Sequence, residues 1–541
     1  MEAELIAVFE EGELPLRTCF TPLVHEARLY FALMEGRGRQ YASEVLFRPD
    51  NYPDYYNGTN IAYPPDTTEV VIRSGDFAVH YVQSGSLSAS DQYAQKAANL
   101  LPQVKQQYID MDYTEPPGDG DLGGYTDVYD VYITDLPSGI AGFCSASGTV
   151  GNPWPSYVVI DNKLSFEDVR SSTTLSSTLA HEFFHAIQYG YDPAERSWWK
   201  ETTAVWAQDE IFDDINDYLL LVPYPHSAPH KPLDTADGRT EYGNVVWAKF
   251  LEERFPGTDM VRAIWEYQAQ NRNTAIPENT MEGIAAVLAQ QGYNVDDALG
   301  EYANWLYRKE LFEEGSEYPS VVVARTVESY PTLVKTASLP VGSLSHLALH
   351  LIECEPDDSS SILSMTFDGE DTFPLSVYLL AVDEEGEDLF QKVPLNAAKS
   401  GNIILESFGT TYETALFIVL NSSYYRGGAA YDLSLSLQPP GRISLGSDQL
   451  SFSSTQGEAP PPRTLAVGND GDGPLEWNAI PSREWITVEP ASGTSGVAAE
   501  CNSCPFPWML RRNWRPNHLS AGTLPSLPTT RPTLLSPQTC C

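Results

Sequence analysis

Basic residues are scarce in this chain of 541 residues: 32 Lys and Arg stand against 74 Asp and Glu, a formal charge of −42. A nucleic acid or an anionic membrane surface needs a basic footprint, so neither is an expected partner. The acid is spread along the chain and reads mostly as solvated surface. No run of 18 apolar residues exists, so no membrane span is predicted. Cysteine is also sparse. Of 7 in all, Cys19, Cys144 and Cys354 alone precede residue 500, which is no disulfide framework. A Cys19–Cys144 bridge and three dispersed buried thiols are both open, the thiols being the plainer reading. Met1-Glu2-Ala3-Glu4-Leu5 lacks the basic and apolar regions of a signal peptide. Either the protein stays in the cytoplasm or the start is internal to a longer gene; the second reading is preferred.

Histidine is scarce too, with 9 in the chain, and two of them fall in Leu179-Ala180-His181-Glu182-Phe183-Phe184-His185-Ala186-Ile187-Gln188-Tyr189-Gly190. On a helix, His181 and His185 project from one face a turn apart, where two imidazoles can share one Zn²⁺ at about 2.0–2.1 Å. Glu182, beside the first of them, can take a proton from a water on the ion. The bland alternative is a buried helix that happens to carry two histidines. Ser171 to Thr174 offer N-caps and Gly190 a C-terminal cap. A second helical stretch, Trp198 to Trp206, sets Glu201 on a face with Trp198 and Val205, so Glu201 can complete a His₂Glu site with a fourth position left for water. The rival third ligands are weaker. A metzincin needs Gly and His three and six residues past the second His, where Gln188 and Tyr191 stand; Asp234 and Asp237 lack the right spacing to Tyr242-Gly243.

His181-Glu182-x-x-His185 followed by Trp199-x-Glu201-x-x-Ala204-x-Trp206 resembles the gluzincin metallopeptidases, and most closely the secreted zinc metalloproteases of myxobacterial type. Phe77 to Tyr81, Tyr129 to Tyr132, Glu241-Tyr242-Gly243 and Ala303-Asn304-Trp305 extend the likeness over roughly residues 70–310. The resemblance implies a secreted endopeptidase with zinc on His181, His185 and Glu201. Glu182 is then the general base, and Tyr242, opening the next helix, is the first choice for the group that stabilises the oxyanion. An aromatic packed against a helix start is the competing reading of Tyr242, and Tyr224, His226 and His230 are its alternatives. A zinc aminopeptidase would need a GxMEN-like segment, which is absent. An extracellular binding or adhesion protein with a structural or vestigial metal site is the alternative of a different class; it leaves the base Glu182 without a purpose.

The predicted architecture is an α+β zincin-like catalytic domain followed by all-β sandwich domains. Residues 1–65 read as an N-terminal segment or pro-region remnant, with a helix from Thr21 to Met34. Residues 66–325 form the peptidase domain: strands at Val70 to Ile72, Phe77 to Tyr81, Val128 to Thr134 and Tyr157 to Ile160, a helix after Ser88 or Ser90 that Pro102 should kink or divide, and helices at Tyr242 to Phe255, Asp259 to Gln270, Thr280 to Gln290 and Val295 to Leu311. Ser138 to Phe143 can lie along the cleft as a substrate-facing edge, or be a plain turn. The Asp- and Gly-rich stretch Glu115 to Gly124 can hold Ca²⁺, but it lacks EF-hand spacing and suits a solvated turn better.

From about residue 330 the apolar period becomes two. Segments near 344–352, 362–367, 375–382, 403–407, 415–420 and 431–437 predict a β-sandwich over 326–439 that folds apart from the metal site. Residues 440–500 carry Leu450-Ser-Phe452, Thr464 to Val467, Leu475-Glu-Trp477 and Trp485 to Val488, which resemble the first half of a BACON-type immunoglobulin-like domain. That resemblance implies carbohydrate or glycoprotein contact through the β domains, beside a protein or peptide substrate for the peptidase. Residues 501–541 contain no acidic residue but seven Pro, four Cys and four Arg; this tail is expected to be disordered or aberrant, adding no strands.

Overall fold

The structure is a computed structural model that describes residues 1–11, 19–51, 61–118, 120, 128–147, 153–165, 174–272, 279–357, 361–383, 388–439, 441–455, 458–471, 473, 475–483, 486–495 and the backbone of 509–512. It has an α+β region followed by a region of β-sheet. The first sheet holds β1 (Glu69–Ser74), β2 (Phe77–Val82), β3 (Tyr129–Thr134), β4 (Gly142–Ala146) and β5 (Ser156–Asp161) in the order β1-β2-β3-β5-β4. β2, β3 and β5 run parallel, and β4 closes one edge antiparallel to β5. A strand buried on both faces sends alternate side chains into different cores. Val131, Ile133, Val158 and Ile160 accordingly enter the main core, while Tyr132, Tyr157 and Val159 enter a smaller one on the opposite face.

That smaller core belongs to the N-terminal segment. Helices α1 (Glu2–Ile6), α2 (Thr21–Tyr30) and α3 (Gly36–Leu46) bury Leu5, Phe20, Leu23, Val24 and Val45 against Phe143 and Tyr157. α2 ends at Tyr30, and a 3₁₀ turn, Phe31–Leu33, completes the helical stretch expected there. A buried ion pair ties the layer down. Arg48 Nη1 lies 2.6 Å from Asp130 Oδ2, whose other oxygen meets His80 Nε2 at 2.9 Å; His80 Nδ1 is 2.5 Å from Glu69 Oε1, and Tyr132 stacks on the ring at 4.5 Å.

The main core lies between this sheet and α4 (Asp91–Asp110), α5 (Leu175–Tyr191), α6 (Ser197–Ile211), α7 (Pro223–Ser227), α8 (Thr240–Gly243), α9 (Val245–Arg254), α10 (Met260–Gln270), α11 (Thr280–Gln290) and α12 (Val295–Tyr307). Ser90 caps α4 by accepting from the Tyr93 N–H at 3.2 Å. The helix continues through Pro102 undivided, with Ala94, Ala97, Leu101 and Val104 buried on either side of it; packing along the whole face outweighs the single missing backbone donor. The helix expected from Tyr242 to Phe255 is instead two, broken at Asn244, whose amide donates to Leu233 O at 2.6 Å.

β6 (Arg325–Val327), β7 (Thr332–Lys335), β8 (Ala348–Cys354), β9 (Ser361–Gly369), β10 (Leu375–Asp383), β11 (Leu389–Lys392), β12 (Ser400–Phe408), β13 (Tyr412–Asn421) and β14 (Tyr431–Gln438) form two layers, β11-β10-β13-β8-β6 and β12-β9-β14-β7, with strand pairing between them where Phe408 meets Tyr412. One face of the sandwich adjoins the main core. Leu349, Leu351, Leu380, Leu416, Ile418 and Leu420 point away from its interior and extend the main core, while Ile352, Val377, Leu379, Phe417 and Val419 fill the sandwich. Tyr378 crosses the seam and donates to Asp297 Oδ1 at 2.8 Å.

The last region departs from the immunoglobulin-like expectation. β15 (Ile443–Leu445) pairs with β16 (Val467–Asn469), β17 (Leu475–Asn478) with β19 (Ser492–Ser495), and β18 (Ile486–Glu489) with β20 (Met509–Arg512). Leu450 to Phe452 is no strand. Trp477 and Pro460 are the buried apolar side chains here among the described residues, too little to unite the pairs in one sandwich. β20 is a strand that the composition of 501–541 did not suggest; the rest of that tail, including its four cysteines, lies outside the described residues, as do Asp119 and residues 121–124 of the calcium-binding candidate. Among the described residues no helix is long and apolar enough to cross a membrane.

Two outcomes follow from these contacts. Ile418→Ala, at the seam, should cost about 2–5 kcal/mol and lower the melting transition seen by tryptophan fluorescence; an unmoved transition would mean the sandwich folds independently. His80 is governed first by burial, which lowers its pKa, but the hydrogen bonds to Asp130 and Glu69 outweigh this and raise it to about 9. Its contribution to stability is then complete below about pH 6.5 and disappears as pH rises through about 9. The difference in Tm between the parent and His80→Gln should shrink from pH 6 to pH 10, and a constant difference would contradict the protonated pair.

Candidate metal centre

α5 begins at Thr174, whose hydroxyl accepts from the Ser177 N–H at 3.1 Å, and is buried along nearly its whole length by the sheet on one side and α6 on the other. Helical spacing sets His181 and His185 on one face, and α6 packed behind presents Glu201 to both. Glu201 Oε2 is 3.2 Å from His181 Nε2, Glu201 Oε1 is 3.3 Å from His185 Nε2, and the two Nε2 atoms are 3.2 Å apart. A fourth atom, unforeseen, completes the group. Cys19 Sγ stands 3.4 Å from His185 Nε2 and 3.9 Å from Glu201 Oε1, and all four ligand atoms lie within 4.8 Å of one another in buried surroundings.

The imidazole orientations follow from outer hydrogen bonds. Gln188 Nε2 donates to Lys200 O and Thr203 Oγ1, at 2.9 and 3.0 Å, so its Oε1 faces His185 Nδ1 at 2.8 Å. Gln208 Nε2 donates to Asp217 Oδ1 at 2.8 Å, so its Oε1 faces His181 Nδ1 at 2.8 Å. Asp217 is itself held by the Ser177 hydroxyl at 2.7 Å. An amide oxygen opposite Nδ1 assigns the proton to Nδ1 in both rings, so both Nε2 lone pairs and the Glu201 oxygens point into one space. Lone pairs facing one another at 3.2 Å repel unless a cation lies among them. A tetrahedral ion with N and O ligands at ~2.0–2.1 Å and a thiolate at ~2.3 Å separates its N and O ligands by ~3.3 Å and N from S by ~3.6 Å. The N–N, N–O and His185 N–S separations lie near these values and the S–O separation of 3.9 Å is longer, so Cys19, His181, His185 and Glu201 form a group that can bind a metal ion.

The second acid–imidazole group among the described residues, Asp50, Glu69 and His80, is a poorer ligand set, because the proton on His80 blocks a coordinating nitrogen. Glu182 sits beside the first group without belonging to it. Its Oε2 accepts from the Thr21 hydroxyl at 3.0 Å and lies 3.6 Å from Cys19 Sγ. Burial pushes the Glu182 carboxyl up, partly offset by the two imidazoles. Burial opposes the charge on Glu201 too, but with no ion between them protonated imidazoles would outweigh burial and hold it well below the carboxylate range. Burial, then Glu182 and Glu201, keep the Cys19 thiol well above its ordinary value; an ion's charge inverts that balance. Gly142 of β4 permits the close approach of Glu182, since a Cβ there would meet Glu182 Cγ and Val159 O at 3.0 Å.

Tyr242, on α8, is buried with its ring against His181 at a centroid distance of 6.4 Å, and its hydroxyl donates to Cys19 O at 3.1 Å. Gly243 lets α8 seat there, a Cβ being 2.4 Å from Leu221 O. The alternatives lie elsewhere. Asp234 is engaged by Arg196 at 2.6 Å and His346 at 2.9 Å; Asp237 is engaged by Lys231 at 2.7 Å and caps Thr240. His226 bonds Val222 O, Tyr224 lies against Arg239, and His230 sits near His350. Cys19, Cys144 and Cys354 are free thiols, with no bridge between the first two. Ser138 and Gly139 form a turn, and Gly142 begins the edge strand β4. Cys19, Thr21, Gln188 and Gln208 were missed; a single cysteine far from the motif carries no spacing signal, and glutamine has many ordinary roles.

No protein-family model matches the chain, and no curated protein matches it. Among solved structures, the pre-peptidase C-terminal domain of collagenase from Bacillus anthracis is 12% identical over 22% of this chain and 100% of that one, with a TM-score of 0.16. A family GH115 4-O-methyl-alpha-glucuronidase with specificity for decorated arabinogalactans is 10% identical over 48% of this chain and 39% of that one, with a TM-score of 0.14. Neither overlap is close enough to show a common fold.

Replacing Gln208 by Leu removes the acceptor that fixes the His181 tautomer. Metal affinity, read by competition with a chromogenic chelator, should fall about 10–100-fold while the circular dichroism of the fold is kept. Unchanged affinity would mean that the amide does not orient the ring.

Proposed function

We propose that the chain is a secreted zinc-dependent endopeptidase. The observation that carries this reading is the placement of Glu182, a carboxylate beside the ligand group and outside it, which a purely structural site would not need. The mixture of imidazole, carboxylate and thiol donors suits zinc. An ion held by these residues would supply Lewis acidity toward a peptide carbonyl and toward a water. Glu182 accepts the water's proton at Oε2 and returns it to the leaving amine. The Tyr242 hydroxyl, which donates to the Cys19 carbonyl, would donate to the oxygen on which charge develops.

Cys19 supports a second reading. A site closed by four protein ligands is the usual form of a structural zinc, as in an extracellular binding or adhesion protein. Metal analysis joined to a casein digest, with and without chelator, separates the two, since zinc with no chelator-sensitive hydrolysis favours the structural site. Glu182→Gln should keep zinc and lose ~10²–10⁴ in turnover. Tyr242→Phe should lower kcat ~10²–10³-fold with KM little changed. A Glu182→Gln protein that digests casein at the parent rate would end this mechanism.

A further inference from the structure

Residues 19–21 meet every part of the candidate machinery at once. Cys19 Sγ occupies the vertex that His181, His185 and Glu201 leave open, 3.4 Å from His185 Nε2. The Thr21 hydroxyl donates to Glu182 Oε2 at 3.0 Å, and Cys19 O accepts from Tyr242 at 3.1 Å. The Phe20 N–H donates to Gly142 O at 3.0 Å, and Cys19 bridges Gly142 in parallel register. A stretch of the chain's own backbone thus lies on the edge strand β4, as an added peptide strand would, and crosses the base, the tyrosine donor and the fourth metal position together. The cleft lined by Cys19, His181, Glu182, Asp217 and Tyr242 is small, about 30 Å³, room for about two waters.

These contacts also lie at a boundary. Cys19 packs in the main core around α5, whereas Phe20, its neighbour, packs in the separate core of α1–α3. Movement of the smaller layer would draw both residues off β4 without opening the helix that carries His181 and His185.

We propose that Cys19–Thr21 is an autoinhibitory segment, with the Cys19 thiolate as the fourth metal ligand and the fold described above as the latent form of the enzyme. The assignment rests on the peptidase reading. On ligation the thiol gives its proton to solvent, and the thiolate and Glu201 together balance the charge of a divalent ion. Opening exchanges the thiolate for water and frees Glu182, Tyr242 and β4 at one stroke.

The full chain loaded with Co²⁺ tests this by two independent readouts. A thiolate-to-cobalt charge-transfer absorption in the near ultraviolet is expected in the parent and absent from Cys19→Ala. With zinc, Cys19→Ala should digest casein ~10-fold faster or more, the inverse of the fraction of parent chains that are open, and Cys19→Ala/Glu182→Gln should lose that gain. Cobalt bound without the absorption would remove Cys19 from the ligand set and overturn the proposal. The absorption with equal digestion by parent and Cys19→Ala would overturn latency and leave the peptidase reading standing. Zinc-loaded Cys19→Ala with no hydrolysis would overturn the peptidase reading and latency together. Thr21→Val, which keeps the ligand and removes the donor to Glu182 together with the acceptor of the Cys144 N–H on β4, provides a second variant should Cys19→Ala not fold; it should raise digestion while keeping the absorption, and no rise would count against the segment as inhibitor.

Discussion

Two carboxylates, two imidazole lone pairs and a thiol are buried together at the centre of this molecule, within 3.0–3.9 Å of one another or of a single hydroxyl. In a low-dielectric interior such a group is costly unless a cation or a proton lies within it. The rest of the α+β region serves that constraint. α5 and α6 bring three donors to one point, the two glutamines turn both rings the same way, and the surrounding aromatic core excludes the water that would otherwise screen the charges.

The N-terminal layer is part of the same solution. A helical layer that merely covered the back of the sheet would have no reason to reach around β4. This one does, and it places a sulfur and a hydroxyl where the ligand group and Glu182 are each short of a partner. The ion pair of Arg48 with Asp130, extended through His80 to Glu69, anchors that layer to β1–β3 at the far side of the sheet from α5. Anchorage and reach are therefore separate features of one segment.

Support continues outward on the other side. The sandwich lends the outer faces of β8, β10 and β13 to the main core behind α12, so the helices that back α6 rest on a sheet contributed by a later part of the chain. The period-2 pattern located those strands well, to within a few residues. It was silent on whether the second face met water or helices, because β8, β10 and β13 are apolar on both faces and alternation is lost.

The sequence by itself determined the local arrangements. Four-residue spacing on one apolar helix places His181 and His185 together, a 3.6-residue period with a serine cap marks α4, and alternating or continuous apolar runs mark the strands; each depends on interactions within about a turn or a strand pair. Glu201 was legible as the acidic residue on a second helical stretch, on a face with Trp198 and Val205. Tertiary structure alone decided the rest. Cys19 lies 166 residues from His185, and Tyr242 lies 223 from the carbonyl it meets, so no local period links them. Gln188 and Gln208 become orienting groups only because Lys200, Thr203 and Asp217 fix which end of each amide faces a ring. A contact between distant residues is set by how layers pack, and the side chains that occupy the meeting point carry no mark of it in the order of the chain.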